Sequence, residues 1–119
     1  SCIVYSDEQH RVITEKDSAG STATYVLNIS NQSGNLIIGT FSQDFKSDDV
    51  HKHGQYLCDG HIQDGVIIIS LLPSNKAKST FGTLLLTVSE GGNCLRGIHS
   101  YKANDNVVNS CELELKKKN

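Results

Sequence analysis

The feature that most constrains this chain is the spacing of its turns. From Thr22 onward, short apolar stretches alternate with Gly-, Asn- and Asp-rich turns at near-regular intervals, with no helical period between them. Strands joined by tight turns in this way form an antiparallel meander. A meander of about eight strands can close into a barrel that is filled by its own side chains or holds one small ligand. The expected fold is therefore all-β, an antiparallel up-and-down eight-stranded β-barrel, with a two-sheet sandwich as its rival. Such a barrel points to a binding module before an enzyme.

The first strand is predicted at Val12–Lys16, after a polar lead-in, and the second at Thr22–Ser30. In the second, Tyr25, Leu27 and Ile29 share one face and Thr24, Val26, Asn28 and Ser30 the other. Asn31 to Asn35 supplies a hairpin turn. Leu36–Ser42 follows, with Gly39 a point of bending or close backbone approach. Phe45 to His53 reads as a long polar loop, a candidate lid or rim. Gln55–Ile62 and Val66–Leu72 flank Gln63-Asp64-Gly65, a strong hairpin signal. Phe81–Val88, Leu95–Lys102 and Val107–Leu115 complete the count of eight, separated by Ser89–Asn93 and Asn104–Asn106.

Length and charge narrow the function classes. The 119 residues suit one domain spanning 1–119. Eleven basic against 13 acidic residues give a net charge of −2, which does not suit a general binder of DNA or RNA polymers. Three Phe, four Tyr and no Trp make a poor stacking platform for single-stranded nucleic acid. Lys116-Lys117-Lys118 reads as a solvated tail. Val66–Leu72 is too short to span a bilayer, and Ser1–Lys16 has no leader pattern. The start at Ser1-Cys2 fits either removal of an initiator Met or the soluble portion of a longer protein. Cys2, Cys58, Cys94 and Cys111 match no dense disulfide framework, so reduced cysteines are expected, with Cys58 and Cys111 as small core residues.

Motifs for catalysis are lacking. The chain contains no nucleophile elbow, phosphate-cradling loop or dinucleotide fingerprint, and no cofactor is implied. His51-Lys52-His53, near Asp48, Asp49, Cys58 and His61, lacks the paired spacing of a structural zinc site and reads as a solvated loop. The suggestive strands are the last ones. Leu95, Gly97, His99 and Tyr101 share a face, as do Val107, Asn109, Cys111, Leu113 and Leu115. If that face turns inward, His99, Tyr101 and Asn109 give one end of an aliphatic lumen a polar lining, the composition of a small-molecule site. Each could equally be a hydrogen-bonded barrel-end residue. Arg96 falls on the opposite strand face, shared with Lys102. It is either a surface charge or a phosphate contact.

Gly82-Thr83-Leu84-Leu85-Leu86, Leu95-Arg96-Gly97 and the closing Cys111-Glu112-Leu113-Glu114-Leu115-Lys116 resemble the end of small meander barrels. Avidin-like and lipocalin-like barrels share this rhythm. The stretch also resembles the β-barrel domain of bacterial two-transmembrane β-strand-rich effectors of cyclic-oligonucleotide anti-phage defence. In place of the aromatic- and Arg-containing stretch expected there, this chain has Ile98-His99-Ser100-Tyr101-Lys102-Ala103. The resemblance implies a sensor barrel for a cyclic di- or oligonucleotide, cytoplasmic and anchored to the inner membrane through a segment absent from this chain, with ligand-controlled self-association. It implies that Tyr101, His99, Asn109 and Tyr25 contact base and ribose and that Thr83, Arg96 or Lys102 addresses phosphate. The alternatives are a carrier of an apolar ligand and a filled barrel serving as a protein-interaction domain.

Overall fold

The computed structural model describes residues 3–10, 22–47, 50–74, 80–102 and 106–118. Its extended segments are β1 (Ile3–His10), β2 (Thr22–Ser33), β3 (Leu36–Ser47), β4 (Val50–Gln63), β5 (Val66–Pro73), β6 (Phe81–Ser89), β7 (Cys94–Lys102) and β8 (Val108–Lys117). The seven strands β2 to β8 pair in chain order, every neighbour antiparallel, as one up-and-down sheet that curls around a single apolar core. β1 runs antiparallel along β2 from Ile3↔Ile29 to His10↔Ala23 and meets β8 at Tyr5↔Lys117 and Ser6↔Lys116.

Two sequence expectations change. Ile3–His10, read as a polar lead-in, is a strand, whereas the expected first strand Val12–Lys16 lies outside the described residues. Ser6 to His10 carries no apolar alternation. What makes it extended is backbone pairing to β2, which needs no particular side chain. The expected polar loop Phe45–His53 is likewise mostly ladder, with the register Phe45↔Lys52, Lys46↔His51 and Ser47↔Val50. A mostly polar sequence there does not exclude a strand, because the ladder is made by backbone groups.

Alternation sets the core. Tyr25, Leu27 and Ile29 of β2, Ile37 and Phe41 of β3, and Ile67, Ile69 and Leu71 of β5 are buried, as are Leu84 and Leu86 of β6 and Leu113 and Leu115 of β8. Burying each large aliphatic side chain stabilises by about 1.5–3 kcal/mol before chain entropy is counted. Cys58 joins this core, and burial pushes its thiol up to about 12. Cys94 is also buried, and Cys58, Cys94 and Cys111 are free thiols.

The curl depends on glycine at the tightest crossings. A Cβ on Gly39, Gly60 or Gly97 would overlap the carbonyl oxygen of Asn28, Ile68 or Leu85 on the adjacent strand, and one on Gly82 would sit 2.5 Å from that of Ser100. Only a residue without a side chain lets those backbones approach while the strand bends. The β4–β5 turn has positive φ at both Asp64 (53°) and Gly65 (78°), as a type I′ hairpin requires.

Candidate functional site

One end of the curled sheet, called here the mouth, is where β3, β5 and β7 finish and β2, β4, β6 and β8 begin. Just inside it the inward phase delivers four rings from three strands. Tyr25 (β2) stacks on Phe41 (β3), with centroids 5.6 Å apart and an interplanar angle of 17°. His99 (β7) meets Tyr25 and Phe41 edge-on, at 5.9 and 5.4 Å. Tyr101, two residues nearer the mouth, tilts against His99 at 4.9 Å. Edge-to-face and offset contacts of this kind fit the charge distribution of aromatic rings.

His99 is only 2% exposed, and its Nδ1 has no hydrogen-bond partner among the described residues. Burial lowers its pKa to about 4, so the imidazole is neutral at physiological pH. An orphaned buried polar atom costs on the order of 1–3 kcal/mol, and a ligand or water that reaches it recovers part of that. Tyr101 is half-buried and Asn109, its register partner on β8, is exposed. Aromatic surface and amide therefore lie side by side at the mouth. Beneath them Cys111, the register partner of His99, is half-buried. Burial raises its thiol pKa, and a hydrogen bond from the Tyr25 hydroxyl opposes that rise.

The walls of the mouth are unequal. β3 and β4 continue pairing for four positions beyond Gln43↔Gly54, whereas the β4–β5 pairing ends at Tyr56↔Pro73. Near that step the half-buried Tyr56 packs against the core and donates its hydroxyl to Thr80 Oγ1 at 3.4 Å. On the outer face of the tall hairpin, Asp44 Oδ1 is 2.7 Å from His53 Nδ1 and 3.5 Å from His51 Nε2. The hydrogen bond to His53 is the chief reason the Asp44 pKa is lowered. Among the described residues no group of three or more His, Cys, Asp or Glu side chains is arranged to hold a metal ion.

Of the seven predicted contact residues, Tyr25, His99, Tyr101 and Asn109 gather at the mouth on the inward phase. The other three are on the outer phase. Thr83 is exposed on the outer phase of β6, between Ser70 and Ser100. Arg96 is outside as well and nearer the opposite end, with its Nε donating to Glu114 Oε2 at 3.0 Å. Lys102 does reach the mouth, but its Nζ lies 5.3 Å from the ring centre of Phe81 on the outer face. The expected polar cap and the expected phosphate contacts are thus on different sides of the sheet. Phe41 and Tyr56 belong to the site and were not singled out from sequence. Phe41 was legible in principle, since it keeps the phase of Ile37 and Gly39.

Among the described residues no helix is long and apolar enough to cross a membrane. Comparison with protein families, with curated proteins and with solved structures finds no match to this chain.

Proposed function

We propose that the curled sheet closes as an eight-stranded barrel and that its mouth binds a small planar ligand, a cyclic di- or oligonucleotide, as a sensor. Closure is supported by the two-pair seam between β1 and β8, which leaves neither strand as a bare edge. The observation that carries the binding reading is His99: a buried ring with an unsatisfied Nδ1, boxed by Tyr25 and Phe41 and opening toward half-buried Tyr101 and exposed Asn109. A nucleobase stacks on Tyr101 and hydrogen-bonds to Asn109. Lys102 is the predicted cation at the same end and serves the phosphate by swinging over the rim, while Thr83 and Arg96 make no contact. The nucleotide identity and the role at a membrane-anchored defence effector rest on the sequence resemblance. On that reading the ligand shifts a monomer–oligomer equilibrium by binding the two states unequally.

A thermal-shift panel of cyclic di- and trinucleotides against fatty acids tests this. A ligand at 100 times its Kd adds about 2.7 kcal/mol, a rise on the order of 10 °C for a domain this size. Tyr101→Ala should abolish the shift. No shift with any nucleotide well above micromolar concentration rejects the sensor reading, and a fatty-acid shift favours the carrier. No shift at all favours the filled barrel, which the continuous core of residues at most 6% exposed supports.

A further inference from the structure

The outer face of β4 to β8 carries an apolar centre that reads the same in both directions and ends that are complementary rather than alike. Register pairing across five strands gives the row His61, Ile68, Leu85, Ile98, Glu112. Three exposed aliphatic residues lie at its centre, with an imidazole at one end and a carboxylate at the other. One row toward the mouth, Ser70, Thr83 and Ser100 line up with Thr83 on β6. Beyond it, exposed Phe81 stands on the same strand beside Lys102 of β7, and exposed Leu72 is on β5. The aliphatic centre and the hydroxyl row are thus symmetric in kind about β6, and the two ends of the first row, His61 and Glu112, are complementary.

We propose that this face is where two copies of the chain meet, about a two-fold axis running along β6. A two-fold contact is isologous, so the surface must complement itself. Rotation about β6 sets Leu85 on its own counterpart and Phe81 on its own counterpart. It places Ile68 of one copy opposite Ile98 of the other, and the His61 side opposite the Glu112 side. Leu85, Ile98, Ile68, Leu72, Phe81 and Val108 together expose apolar surface on the order of 500 Å², within the range of the largest patches on monomers and over half of the ~800 Å² per partner of a stable interface. The short hydroxyl row lets the apolar rows on either side approach a partner. With Glu114 already paired to Arg96, the border carboxylates left are Glu112 on β8 and Asp59 on β4, and Glu112 suits a partner that brings the imidazole of His61.

The proposal is independent of the ligand reading, and the test uses the whole chain. Sedimentation should show a dimer forming with a Kd of about 1–100 μM. Leu85→Glu, which sets two carboxylates face to face, should leave a monomer with unchanged circular dichroism. Leu36→Glu, at least as exposed but three strands away on β3, should leave the dimer intact. Leu85→Cys should cross-link to its own copy under a mild oxidant, above the background of the unsubstituted chain, and Leu36→Cys should not. A monomer at ~1 mM, a dimer that survives Leu85→Glu, or absence of the Leu85→Cys cross-link overturns the proposal. So does a monomeric chain that floats with phosphatidylcholine vesicles, which would assign the face to a lipid surface.

Discussion

The buried imidazole of His99 makes the stability of this domain depend on pH in a window set by one residue. Its pKa in the folded chain is about 4, because burial disfavours the charged ring, against 6.5 for the free group. The folded state therefore binds fewer protons than the unfolded state between those values, and stability rises with pH across them. The contribution is complete above about pH 6.5, is lost as pH falls through the window, and levels off below pH 4. The full span is about 3 kcal/mol, and about 2 kcal/mol is already lost at pH 5. Urea titrations of the parent chain and of His99→Phe isolate the effect, since other titrating groups are common to both. Phe fits among Tyr25, Phe41 and Tyr101 and brings no orphaned nitrogen. The stability gap in favour of the variant should widen by about 2 kcal/mol between pH 7 and pH 5, a midpoint difference of roughly 1 M urea. Parallel pH profiles, or an imidazole that titrates near 6.5 in the folded chain by NMR, would refute the placement of His99.

Further substitutions probe other parts of the molecule. Gly97→Ala puts a methyl group into the Leu85 carbonyl and should destabilise by about 3 kcal/mol or more, read by urea denaturation; a loss under 1 kcal/mol would mean that the two strands can separate there. Leu84→Ala empties a site with no exposure and should cost about 2–5 kcal/mol in the same assay. Arg96→Ala removes an exposed, solvent-screened ion pair and should leave the urea midpoint nearly unchanged, with any nucleotide-induced thermal shift intact; loss of the shift would bring Arg96 back into the binding site. With a thiol reagent at pH 8, Cys58 should react only on unfolding, because burial holds it protonated and inaccessible.

Strand phase was legible wherever one face had to be apolar. Tyr25-Leu27-Ile29, Leu84-Leu86 and Leu113-Leu115 each declared their burial by alternation, and Asp64-Gly65 declared its turn. Segments held mainly by backbone pairing were not legible. Residues 6–10 and the far end of the β3–β4 ladder are mostly polar in sequence and are extended because a neighbouring strand takes up their N–H and C=O groups. The site divided along the same line. The phase of β7 set Arg96 and Lys102 apart from His99 and Tyr101, and the structure keeps them apart. The contribution of Phe41 depends on which strands the curl brings face to face, and that is a matter of three-dimensional curvature rather than local pattern.

Gly39, Gly60, Gly82 and Gly97 separate two kinds of information in this shell. They fix where the backbone bends, while the lining is chosen at other positions, such as Phe41, His99 and Tyr101. Exchange of a mouth residue therefore leaves the curvature untouched, whereas a side chain at a bend alters the shape of everything around it. The lining of the same shell can be refitted by changing a few rings, and lineages that do so should vary at the rings while keeping glycine at the bends.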